Sequence, residues 1–109
     1  MVIMKNLEKY RGFADKLEDF ADKLKIMAHP DRLRILNLLM EGDSKNGKQI
    51  YKELNMAQST LSQHLTKLRM HQLIYGRRKG VEIYYDINDS LVCKVIGILS
   101  EDSSKKKAV

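Results

Sequence analysis

Apolar residues in this chain recur with a helical period as far as His71-Gln72 and with a period of two beyond it. That one change narrows the folds open to the chain. A 3.6-residue repeat buries one stripe of a helix, and a two-residue repeat buries one face of a strand. Past the change, Val81, Ile83, Tyr85 and Ile87 alternate with Glu82, Tyr84 and Asp86, while Leu73, Ile74, Tyr75 and Gly76 lead into Arg77-Arg78-Lys79-Gly80. Two β-branched and aromatic runs around a glycine spell a β-hairpin, with Gly80 supplying the backbone angle of the turn. The expected architecture is mainly α with a small β-hairpin, in the order α-α-α-α-β-β-α. It forms one domain over residues 1–102, followed by a disordered basic tail at 103–109.

Before the change, residues 5–28 form one long helical pattern. Leu7, Tyr10, Ala14, Leu17, Ala21, Leu24 and Ala28 alternate spacings of three and four, with Phe13, Phe20 and Met27 beside them a heptad apart. This face is wider than a small domain asks of its first helix. Part of it (Leu7, Tyr10, Phe13, Leu17 and Phe20) is expected to pack on a second copy, and the rest on this chain's own core. His29-Pro30-Asp31 ends the helix, and Pro30 suits the first position of the next. Leu33, Ile35, Leu36, Leu38, Leu39 and Met40 make that second helix mostly buried. After a turn at 42–47, residues 48–54 form a short helix with Ile50, Tyr51 and Leu54 inward. Asn55-Met56-Ala57 is a tight turn, Asn tolerating a left-handed backbone.

Residues 58–71 carry the functional signal. Leu61, Leu65 and Leu68 form one apolar stripe, and the other side offers Ser59, Gln63, Thr66 and Lys67, flanked by Thr60 and Ser62. No carboxylate occurs in the segment. Amides pair bidentately with adenine, hydroxyls reach phosphates or base edges, and cations take phosphates. A surface helix that merely happens to be rich in Ser, Thr and Gln would share that composition, but the flanking segments favour DNA. Two helices across a three-residue turn form a helix-turn-helix. The Arg77-Arg78-Lys79 tip that follows is placed as a wing, able to reach phosphates or a flanking minor groove. The expected DNA-contacting residues are Gln58 (holding a phosphate at the helix N-terminus), Ser59, Thr60, Ser62, Gln63, Lys67, Arg77, Arg78 and Lys79.

Net charge is +6, and its distribution agrees with this reading. Residues 58–85 carry five basic side chains against one acidic, whereas the other segments are nearly balanced. Asp89 and Ser90 can cap a last helix from Leu91 to about Ser100. Its Leu91, Val92, Val95, Ile96 and Leu99 are too apolar for an exposed end and are expected to be covered by a partner subunit's first helix. A single cysteine, Cys93, excludes a disulfide scaffold and fits a reducing cytoplasm. No signal peptide or membrane-spanning run is visible. The plain reading of Cys93 is a small core residue. A redox role through an intersubunit disulfide is the alternative.

The segments Leu24–Leu36, Gln58–Leu65 and Lys79–Ile87, in that order, resemble the ArsR/SmtB family of winged helix-turn-helix transcriptional repressors. The likeness runs from about residue 20 to 100. It implies a homodimer joined through the first and last helices and bound to double-stranded operator DNA of imperfect two-fold symmetry. The family's inducer sites do not carry over. The third-helix site needs paired thiols, and Gln49-Ile50-Tyr51-Lys52-Glu53-Leu54 has none. The last-helix site needs Asp with several His, and residues 89–102 contain no His. His29, His64 and His71 show no zinc-ligand spacing, and His64 reads as a packed, hydrogen-bonded residue. No metal or cofactor is therefore expected, and the inducer is undefined. A protein-interaction module on the same scaffold is the rival reading. No nucleophile–base constellation or phosphate loop suggests an enzyme.

Overall fold

The computed structural model describes the backbone of residues 2–108 and the side chains of residues 12–101. Its elements are α1 (Val2–Met27), α2 (Pro30–Met40), β1 (Lys45–Asn46), α3 (Gly47–Glu53), α4 (Gln58–Met70), β2 (Ile74–Lys79), β3 (Glu82–Ile87) and α5 (Ser90–Ala108). The strand β1 was not expected. It lies in the turn cluster and pairs Lys45 with Tyr85 and Asn46 with Tyr84, so the hairpin becomes a three-stranded antiparallel sheet in the order β1-β3-β2. Two residues are too short for any periodicity to register, and only the partner strand makes them a strand.

Local chemistry sets the helix ends. The His29 imidazole accepts the Asp31 N–H at 3.1 Å, and Pro30 opens α2 where a missing N–H costs nothing. Asn46 and Gln49 form a reciprocal capping box at α3, both bonds 2.9 Å. Both helices of the helix-turn-helix then end in the same way. Asn55 (φ 52°) and Gln72 (φ 59°) adopt the left-handed conformation. The next amides reach back five residues, Met56 N–H to the Tyr51 carbonyl at 2.9 Å and Leu73 N–H to the Leu68 carbonyl at 3.0 Å. These are Schellman stops. At Asn55 the residue type announces the conformation. At Gln72 it does not, and the burial of Leu73 imposes it.

The core joins α2, α3, α4, the sheet and α5. Ile35, Leu36, Ile50, Leu68, Leu73 and Val92 are fully enclosed, each stabilising the fold by about 1.5–3 kcal/mol. Two positions expected at a subunit interface belong here instead. Val92 and Ile96, one turn apart, are 0% and 3% exposed within this chain. The face of α5 that packs on α2 and β3 takes them, and leaves Ile98 and Leu99 outside. Asp89, not Ser90, caps α5, accepting the Leu91 N–H at 2.8 Å. The helical backbone of α5 continues through Ala108, into the segment expected as a flexible tail. Lys and Ala are good helix formers, and lysines favour the negative end of the dipole.

Among the described residues, α1 meets the body toward its C-terminal end, where Met27 is buried and Lys23 forms an ion pair with Asp89 of the α5 cap. Phe13, Leu17 and Leu24 are exposed, and Phe20 is half-buried. The radius of gyration, 17.2 Å, exceeds the ~13 Å of a compact chain this long. The side chains of Leu7 and Tyr10 lie outside the described residues.

Candidate nucleic-acid interface

α4 is held by its apolar stripe. Leu61, His64, Leu65 and Leu68 face the core, which turns Ser59, Ser62, Gln63, Thr66 and Lys67 outward. Thr60 sits on the flank, half-buried, and Gln58 lines a cleft of about 390 Å³ between α3, α4 and the hairpin. No side chain caps the start of α4, since Ala57 stands at its N-cap. The open face also carries Met70, 72% exposed, and Arg69, neither singled out in sequence. Both fall on the outward side of the same helical period, so extending the wheel by one turn finds them. Thr66 spends its hydroxyl hydrogen on the Ser62 carbonyl, 2.8 Å away.

The turn between α3 and α4 is braced from α2. Arg34 Nη2 donates to the Leu54 carbonyl at 2.6 Å, and its Nη1 to Asp31 at 3.1 Å. Leu54 is the C-cap of α3, so this guanidinium fills one of the carbonyls that a helix end leaves open.

The hairpin turns through Gly80 (φ 67°), with Lys79 and Glu82 as the closing pair. Gly76 is required by contact: a Cβ there would lie 2.8 Å from Ile83 Cγ2. The three wing cations differ in the partners they have within the chain. Arg77 donates through Nε and Nη2 to Asp86 Oδ2 at 3.2 and 3.1 Å, and through Nη2 to Ser44 Oγ at 2.9 Å. It stitches β2 to β3 and to the loop before β1. Arg78 is exposed with no ion pair among the described residues, and Lys79 Nζ lies 6.0 Å from the Tyr84 ring centroid.

Behind α4 the fold assembles a cluster that spacing alone does not reveal. His29, Asp31 and His64 each bring one donor atom within 4.8 Å of the others. Each Nδ1 already accepts a hydrogen bond, His29 from the Asp31 N–H and His64 from Arg32 Nε, both at 3.1 Å. A neutral imidazole that accepts at Nδ1 carries its hydrogen on Nε2. With these bonds in place the arrangement serves as a hydrogen-bonded brace. Burial, with His29 and Arg32 nearby, holds His64 below the ordinary imidazole value against the opposing pull of Asp31. Cys93 is exposed on α5, which corrects its reading as a small core residue, because Val92 and Ile96 take the inward face of the helix. No helix among the described residues is long and apolar enough to cross a membrane.

Two short helices across a tight turn, the second with an open polar face, then a hairpin with a cationic tip, define a winged helix-turn-helix. Residues 29–75 match the family described as bacterial regulatory protein, arsR family. Over 84 residues the chain is 46% identical to the transcriptional repressor PagR of Bacillus anthracis, covering 77% of this chain and 84% of PagR. It is 41% identical over 78 residues to the nodulation protein NolR of Rhizobium meliloti, covering 72% of this chain and 63% of NolR. The PagR crystal structure matches with a TM-score of 0.74 and 45% identity, over 79% of this chain and 98% of that one. A homodimeric winged helix-turn-helix domain of Mb0332 from Mycobacterium bovis matches with a TM-score of 0.73 and 28% identity, over 85% of each chain. This chain belongs to the ArsR family of bacterial regulatory proteins.

Proposed function

We propose that the protein is a sequence-specific repressor that binds an inverted-repeat operator as a homodimer. The observation that carries this reading is the carboxylate-free outward face of α4 beside a hairpin whose Arg78 is unpaired among the described residues. Ser59, Ser62, Gln63 and Lys67 lie in the major groove, with Thr60 at the edge and Gln58 at the positive helix N-terminus toward a phosphate. Arg78 and Lys79 contact the backbone or a flanking minor groove, while Arg77 orients the wing. Met70 and Arg69 extend the α4 surface.

The dimer forms through α1 and the end of α5. The exposed Phe13, Leu17, Leu24, Ile98 and Leu99 motivate this, being apolar surface that a monomer leaves in water. Phe20, Leu91 and Val95, half-buried, border that surface, and Leu7 and Tyr10 continue its spacing in sequence. The homodimeric Mb0332 domain and the naming of PagR as a repressor support the same assignment. Residues 1–102 act as one DNA-binding and dimerising unit, and the segment 103–109 adds basic charge. Repression follows from covering a promoter in the cytoplasm, with no catalytic step.

The test is selection from a random duplex pool, followed by binding at two salt concentrations. Enrichment of an inverted repeat with half-sites about one helical turn (~10 bp) or a multiple apart is expected. No enrichment, with all binding collapsing in salt, would leave only an electrostatic surface and favour a protein partner.

A further inference from the structure

We propose that Arg32 and His64 form the joint that sets the angle of α4 against α1, with the His64 ring neutral, making them positioning residues for operator recognition. The inference rests on the DNA-binding reading above and adds what fixes the spacing of the two α4 helices in a dimer.

One guanidinium serves two helices. Arg32 Nη1 donates to the Ile26 carbonyl at 3.0 Å, in the last turn of α1, where carbonyls lack intrahelical partners. Its Nε donates to His64 Nδ1 at 3.1 Å, on the buried side of α4. Arg32 itself lies in the first turn of α2. The link therefore runs from the C-terminal end of the helix with the exposed apolar stripe to the helix with the open polar face. Half-sites one helical turn apart place the two α4 helices of a dimer about 34 Å from each other, so a rotation at such a joint alters the spacing that the dimer reads.

The joint needs an acceptor at Nδ1. Protonation of His64 replaces that lone pair with an N–H facing the Arg32 N–H, and sets two cations side by side. The groups facing His64 are known. His29, from the α1–α2 connection, stacks at 4.6 Å between ring centroids, tilted by 60°. Asp31 of α2 places Oδ2 3.8 Å from His64 Nε2, and Arg32 of α2 takes Nδ1. Burial and the two basic neighbours disfavour the protonated ring, and Asp31 alone works against them. His64 is 7% exposed, so water cannot readily replace a lost partner.

The experiment uses the full chain. Nitrogen-15 correlation spectra of the imidazoles at about pH 7.5 should show His64 as a single tautomer with Nε2–H and a bare Nδ1. An Nδ1–H tautomer, or an averaged signal, overturns the joint. Binding is then compared for the selected inverted-repeat duplex, for versions with one base pair added or removed between half-sites, and for a random duplex. Arg32→Ala should lose roughly tenfold of the discrimination between spacings while random-duplex affinity stays unchanged. His64→Ala should do the same, and His64→Asn, whose amide oxygen takes the place of Nδ1 and can still accept from Arg32, should restore it. As pH is lowered until the nitrogen-15 signals report a protonated His64 ring, wild-type spacing discrimination should decline and that of His64→Asn should not. Equal pH profiles for the two proteins, or Arg32→Ala weakening every duplex equally, would refute the assignment. If selection enriches no duplex, the DNA reading fails and the positioning role with it, whereas a wrong tautomer with intact operator binding removes the joint alone.

Discussion

Arg77 and Asp86 meet diagonally across β2 and β3, and the guanidinium reaches on from that carboxylate to Ser44 in the loop before β1. The residue that sequence groups with Arg78 and Lys79 as a DNA cation thereby has partners within the wing. Arg77→Ala should cost little stability, up to about 1 kcal/mol, because the pair is solvent-exposed. It should leave the slope of log affinity against log salt close to wild type. Arg78→Ala should lower that slope by about one and weaken all duplexes alike. Equal slope changes for the two variants would return Arg77 to the contact surface.

Gln63 projects from the middle of the open face of α4. A bidentate amide–adenine pair is worth about 1–3 kcal/mol of base discrimination. Gln63→Ala should therefore relax preference at one position in each half-site and change random-duplex binding little. Competition binding with single-base operator variants measures this, and a uniform loss across sequences would show that Gln63 acts on the backbone instead.

The two faces of α5 and α1 should respond differently. Ile96→Ala removes a core side chain and should destabilise folding by about 2–5 kcal/mol in chemical denaturation. Leu17→Glu places a charge on exposed apolar surface and should leave the monomer folded while driving sedimentation toward the monomer. A fully dimeric Leu17→Glu protein would move the interface off α1.

Gly76→Ala sets a methyl against Ile83 Cγ2, which is fixed to a branched β-carbon and moves only with the whole side chain. The expected cost is about 1–3 kcal/mol. Adding Ile83→Ala should recover part of it, a coupling that a double-mutant cycle reads directly. Strict additivity would show that the contact is relieved elsewhere.

Lys23 and Asp89 tie α1 to the cap of α5 and give a pH signature. Burial alone would raise the Asp89 carboxyl, but the hydrogen bonds from Lys23 and the Leu91 N–H outweigh it and hold it below the ordinary carboxylate value. The Asp89 hydrogen bond holds the Lys23 ammonium above the usual lysine value. A lowered acid contributes stability above its unfolded pKa and loses it as pH falls through the folded one. A raised base contributes below its unfolded pKa and loses stability as pH rises through the folded one. The pair thus stabilises fully between about pH 4 and pH 10. Thermal melts of Asp89→Asn should show a shallower acid loss than wild type, while identical acid limbs would mean the pair is silent.

Much of this molecule was legible in its sequence, and the physical reason is locality. The period change at His71-Gln72 and the stripe Leu61, Leu65, Leu68 fix the element types and which side of α4 is outward. Asn55 and Gly80 fix turns through backbone angles that their own side chains permit. What the tertiary structure decided depends on partners distant along the chain. The strand character of Lys45-Asn46 exists only because Tyr84 and Tyr85 lie alongside. The role of Arg77 changes because Ser44, 33 residues away, is within reach. Val92 and Ile96 turn inward because α2 and β3 cover that face, although their apolarity would equally suit a partner. Arg32 meets His64 across 32 residues. Periodicity says which face of an element is buried, and only packing says against what, because a hydrophobic stripe carries no address and a hydrogen bond does.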